Sequence, residues 1–142
     1  MKVAYLQCFC GVSEQMILGA LIDAGISMQE LKKELVELHI KFEFKIEGSR
    51  VEIISEEIDK IRNLDYARLV IEKSSLKKDV IQNITKIFDK IAHLKSEVKI
   101  NTLSLLYSCA IVIGFKLIGA HKIYISPINV GQGLKESQLG FI

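Results

Sequence analysis

The sequence predicts an α+β domain: a small mixed β-sheet of about four strands, including a hairpin at 41–54, covered by about five helices. Three patterns lead to this. Short β-prone apolar runs open and close the chain, and one strict alternation of apolar and charged residues lies between them. Several segments carry apolar residues at helical spacing. At 142 residues the chain makes one domain, 1–142, large enough to bury a core without disulfide or metal staples.

The first strand is read from the run Val3 to Phe9, which Gly11 and Ser13 then break. Ser13 suits the N-cap of a helix with Met16, Ile17, Ala20, Leu21 and Ala24 on one stripe, closed by Gly25. Ser27-Met28-Gln29-Glu30 is a capping-box sequence, and Met28, Leu31, Leu35 and Leu38 give the second helix its apolar stripe. In the hairpin, Phe42, Phe44 and Ile46 alternate with Lys41, Glu43, Lys45 and Glu47. Gly48-Ser49 turns the chain, and Val51 and Ile53 alternate with Arg50 and Glu52. That turn pairs Glu47 with Arg50, Ile46 with Val51, Lys45 with Glu52 and Phe44 with Ile53. Apolar side chains then oppose one another and opposite charges face each other.

The chain turns helical again at Leu64 and is broken at Ser74-Ser75. Val80, Ile81, Ile84, Ile87, Phe88, Ile91 and Leu94 form the face of a longer amphipathic helix, with Lys77, Lys78, Asp79, Lys86, Asp89 and Lys90 off that face. Asn101 or Thr102 caps a last helix that reaches Leu117, with Gly119 at its end. Its uncharged stretch falls short of the roughly 20 residues of a membrane span, so it is read as a core helix. Lys122 to Ser126 is the final strand, stopped by Pro127, and the tail from Gly131 reads as unfinished.

Nineteen basic against seventeen acidic residues leave a net charge of +2, too balanced for nucleic acid or an anionic membrane as partner. With no tryptophan and 7% aromatics, stacked-base binding has little to work with. Three cysteines do not make a disulfide framework and point to a reducing cytoplasm. Cys8 and Cys10 are two apart on a strand and therefore face the same way. Near a helix start their thiolates are favoured, and together they suit nickel, zinc or copper. The competing reading makes both small buried hydrophobes, and Cys109 is core. Gly11 and Ser13, where the first strand meets the first helix, are the candidate anion-binding turn, although Glu14 would compete there with a phosphate. His39 and His121 read as surface, and Glu56, Glu57 and Asp59 as an acidic surface. No serine–histidine–acid set or Walker loop is present, and no catalytic residue is singled out.

Residues 4–25, from Ala4-Tyr5-Leu6-Gln7-Cys8-Phe9-Cys10-Gly11 through Asp23-Ala24-Gly25, resemble the opening of the LarC family of nickel-insertion proteins. That opening reads as a strand, D-C-F-S-G-x-S-G-D-M, then a small-residue helix ending L-D-x-G. The resemblance continues through Ile71-Glu72, Ser74, Leu76, Val80 and Ile87-Phe88. It returns in 117–127, where Leu117-Ile118-Gly119 and Tyr124-Ile125-Ser126-Pro127 are similar to L-L-G-x-x-x-x-Y-x-S-P. It implies nickel handling for a nickel-pincer nucleotide cofactor. CTP and a second divalent metal would enter only with the missing C-terminal part of such a protein. The partners expected are that C-terminal half as a separate chain, or a second copy in a homodimer; an exposed apolar face on the helix from Ile100 would point to either one. Departures accompany the matches. Gln7 replaces an acidic residue and Glu14-Gln15 replaces Gly-Asp. No histidine lies in 55–63, and 95–103 lacks the family's histidine pair and aspartate. These losses keep open a second reading, a non-catalytic scaffold that retains the packing.

Overall fold

The structure is a computed structural model, and it describes residues 2–8, 14–94 and 100–127. Its elements follow the predicted order: β1 (Lys2–Cys8), α1 (Glu14–Asp23), α2 (Met28–Leu35), β2 (Glu43–Glu47), β3 (Arg50–Ile54), α3 (Leu64–Lys73), α4 (Lys78–Leu94), α5 (Thr102–Leu117) and β4 (Ala120–Pro127). A 3₁₀ turn, Val36–Leu38, extends α2. The single four-stranded sheet is not what forms. The strands hydrogen-bond in two separate pairs, β1 with β4 and β2 with β3. The reason is that the hairpin spends its inner edge on a helix, as described below.

Helix α5 organises the interior. It has no polar face, and Leu105, Leu106, Cys109, Ala110 and Ile113 are wholly inaccessible. Helices α1, α2 and α4 and strand β3 pack around it. Most of its apolar surface is used inside the domain. Two glycines allow the closest approaches. A Cβ on Gly114 would crowd Leu21 Cδ1, and one on Gly19 would overlap the Ser49 carbonyl oxygen, so α1 lies directly against both α5 and the hairpin turn. This alters the predicted stripe of α1. Its buried side is Ile17, Leu18, Gly19 and Leu21, while Met16, Ala20 and Ala24 are exposed. A nearly all-apolar helix carries no polar face to reveal which side turns inward.

The helix ends follow the sequence signals. Ser27 Oγ accepts from the Glu30 N–H at 3.3 Å, and the Asn63 and Asn101 side chains accept from Tyr66 and Ser104 N–H groups at 2.8 Å. After α1, the Gly25 N–H donates to Ile22 O and the Ile26 N–H to Leu21 O, with Gly25 at φ 109°. These are the paired bonds of a Schellman ending. Leu31, Leu35 and Leu38 are buried on the second helical segment, and Val80, Ile84, Ile87 and Phe88 on α4, as their spacing predicts.

The hairpin register is the predicted one, from Glu47 opposite Arg50 to Phe44 opposite Ile53. Gly48 has φ 58° and Ser49 a negative φ, the pattern of a type II′ turn. Val51 and Ile53 are buried, but Ile46, opposite Val51, is 60% exposed. The helices cover β3 and leave β2 outside. Two polar side chains of α5 tie the hairpin and the loop after it to the core. Tyr107 Oη accepts from the buried Ile53 N–H at 2.8 Å and from Gln15 Nε2 at 3.4 Å. Thr102, also buried, accepts from Ile61 N–H at 3.1 Å, and its hydroxyl lies 2.8 Å from Glu57 O.

Tyr107→Phe keeps the ring and strands the Ile53 N–H without its acceptor. The expected loss is about 1–3 kcal/mol of unfolding free energy, read from the urea midpoint at unchanged slope.

Candidate functional site

Strands β1 and β4 run parallel, with Gln7 opposite Ser126 and Cys8 opposite Pro127. Their carboxyl ends therefore lie side by side, and the chain leaving β1 re-enters regular structure at the start of α1. In open α/β sheets this is where ligands collect, at the carboxyl ends of parallel strands and beside a helix N-terminus. Cys8 is the last residue of β1. Cys10, Gly11 and Ser13, the other candidates, lie outside the described residues, as does the tail from Gly131. The strand and the helix follow one another as expected, and the break between them lies outside the described residues.

Glu14 opens α1. Its side chain keeps solvent contact, yet partial desolvation by the surrounding protein raises its carboxyl above the ordinary value. A carboxylate here competes with a phosphate for the positive end of the helix.

The remaining candidates have structural duties. His39 sits at φ 63° after the 3₁₀ turn, its Nε2 3.1 Å from Ser75 Oγ. His121 belongs to β4, which starts at Ala120, two residues ahead of the predicted Lys122. Glu56 and Asp59 are exposed, whereas Glu57 is partly buried, accepts the Lys41 N–H and pairs with Lys60 at 3.3 Å. Among the described residues no group of three or more His, Cys, Asp or Glu is placed to hold a metal.

Concavities open on the described surface away from the ends of β1 and β4. One, of about 210 Å³, lies between the 3₁₀ turn and α3 and is lined by Leu38, His39, Lys60, Tyr66, Leu69, Val70, Lys73 and Ser74. Another, of about 680 Å³, separates α2 from the start of α4. Beside the second, Lys116 bridges Asp79 at 3.1 Å and Glu34 at 3.8 Å, and Lys77 reaches Glu34 at 3.6 Å. Slight desolvation would raise the Asp79 carboxyl. The Lys116 ion pair and the Val80 N–H prevail, so its value lies below the ordinary one. These four charges neutralise one another across three helices. Sequence reading missed this network, along with Tyr107 and Thr102, because its members are distant in the chain and no local pattern joins them.

Among the described residues, five helices with a parallel strand pair and an antiparallel hairpin define the class, a mixed α+β domain. Within it the chain belongs to the nickel insertion protein family, whose model matches residues 4–142. The resemblance to LarC is thereby borne out. A relative from Desulfitobacterium hafniense, named pyridinium-3,5-bisthiocarboxylic acid mononucleotide nickel insertion protein, is 30% identical over all of this chain and 40% of its own length. Proteins of the same name from Acetivibrio thermocellus and Clostridium kluyveri are each 32% identical, over 99% and 100% of this chain and 42% and 44% of their own. The chain thus spans about two fifths of the length of these relatives. The first alignment runs over 165 positions, 23 more than the chain's 142 residues, so that relative carries internal segments this chain lacks. No solved structure matches.

Burial pushes the Cys109 thiol far above its ordinary value, which fits the core role expected of it. Iodoacetamide at mildly alkaline pH is expected to leave Cys109 unmodified in native protein and to alkylate it after denaturation, as read by peptide mass spectrometry.

Proposed function

We propose that this chain serves in the insertion of nickel into pyridinium-3,5-bisthiocarboxylic acid mononucleotide, as the N-terminal module of that machinery. The observation that carries this reading is a family match running unbroken in extent from β1 through β4, across the place where the two parallel strands end together. In this reading nickel is the substrate, received by the thiolates of Cys8 and Cys10. Gly11 and Ser13, candidates on sequence grounds alone, are assigned to the nucleotide's phosphate. Two thiolates are a soft but incomplete ligand set. The sulfur atoms of the acceptor's thiocarboxylates would complete the coordination during transfer.

CTP consumption and a second divalent metal belong to the portion of the family beyond this chain's two fifths, supplied by a partner. The working compartment in this reading is the cytoplasm, whose reducing conditions keep thiols free. No helix among the described residues is long and apolar enough to cross a membrane.

Glu14 favours a second reading, a scaffold that keeps the packing and binds a protein partner without handling metal. A carboxylate at the start of α1 opposes an anionic ligand there.

Metal analysis after incubation with nickel separates the two. Insertion predicts about one nickel per chain, lost in Cys8→Ser and in Cys10→Ser while circular dichroism is unchanged. Nickel binding that ignores both substitutions, or none in the parent chain, contradicts the thiolate site and leaves the scaffold.

A further inference from the structure

The hairpin has one guarded edge and one open edge. The Ile53 N–H points away from β2 to Tyr107 Oη. Ile53 and Phe44 are therefore a non-hydrogen-bonded pair, and the N–H and C=O of Phe44 point the opposite way, out of the hairpin. The same alternation turns those of Ile46 outward. Glu43, Lys45 and Glu47 bond inward to β3, and the Lys41 carbonyl is also used inside, accepting from Ser55 Oγ at 2.6 Å. Among the described residues β2 has no strand on its outer side. An unguarded row of this kind is a template for another strand.

The order of residues on that edge specifies the partner. Lys41-Phe42-Glu43-Phe44-Lys45-Ile46-Glu47 complements itself when read antiparallel about Phe44. Lys41 then meets Glu47, Phe42 meets Ile46, Glu43 meets Lys45, and Phe44 meets its own copy. The backbone allows this centre, since the outward N–H and C=O of Phe44 would exchange a pair of hydrogen bonds with its own copy, whereas an axis at Lys45 opposes Lys45 to its copy and Glu43 to Glu47. An axis at Ile46 or Phe42 leaves some of the four charges unmatched. Ile46 is 60% exposed, and the Phe42 and Phe44 rings, in edge contact at 5.3 Å, are only partly covered. Pairing would extend this apolar face across the axis and gather the charges on the opposite face.

We propose that β2 is the seam of a homodimer, joined as one antiparallel sheet in the order β3-β2-β2-β3. The occupant of the open edge is a second copy of this chain. This inference is independent of the nickel reading, since it uses none of the residues at the end of β1.

Sedimentation equilibrium with paired charge reversals tests it. The wild-type 142-residue chain is expected to dimerise. Glu43→Lys, or Lys45→Glu, places like charges opposite each other twice per interface and weakens dimerisation about tenfold or more. Mixing the two variants restores attraction at both places, and a heterodimer is expected to form. Ile46→Pro removes one outward N–H and no bond of the hairpin, so it too should give monomer. Circular dichroism confirms that each variant is folded. A wild type that stays monomeric overturns the seam, with β2 then a solvated edge or the seat of a different chain. Variants that dimerise like wild type, or a mixture that stays monomeric, overturn it equally.

Discussion

A helix with no polar face must be enclosed, and the rest of this domain is arranged to enclose α5. Its sixteen residues carry one charge, Lys116, in the last turn. Everywhere else exposure would leave apolar surface in water at roughly 25 cal/mol for each Å². The surrounding elements approach in different ways. Helix α1 comes close at Gly114, where Leu21 packs, α2 and α4 present leucine and isoleucine stripes, and β3 presents Val51 and Ile53. Thr102 and Tyr107 are polar where a backbone N–H needs an acceptor, so the enclosure leaves no buried side-chain polar atom unpaired among the described residues.

That constraint explains what sequence could and could not reveal. Elements with a local signature were legible: the hairpin by its alternation and Gly48-Ser49 turn, α2 by its capping box, α4 by its apolar face. What depends on the enclosure was not. The inward side of α1 is set by a close approach at Gly19, which no spacing rule marks. The division of four strands into two pairs follows from Tyr107 occupying the inner edge of β3. A lone tyrosine in an apolar helix does not announce that it will end a sheet. At the candidate site, the motif of the first strand identified the family. The side-by-side ending of β1 and β4 needed the fold, because more than a hundred residues separate Cys8 from Pro127.

The two ends of the molecule carry different kinds of chemistry. At one, the parallel strands β1 and β4 end side by side, and the family match spans both. The outer strand of the hairpin suits association, with charges of both signs in self-complementary order. Between them lies α5, touching β3 on one side and leading directly into β4 on the other. Its burial is what keeps both ends in fixed relation to the core. The chain retains this core although a relative's alignment extends 23 positions beyond its length.

Native-state hydrogen exchange measures that dependence most directly. If the enclosure of α5 is the cooperative centre, the amides of Leu105 to Ile113 and of Ile53 exchange only through global unfolding. They would then share the highest protection and the same denaturant dependence, while α3 and the hairpin's outer strand exchange through smaller openings. Amides of α5 that exchange ahead of those in α3 would show that the core does not depend on this helix, and would contradict the account.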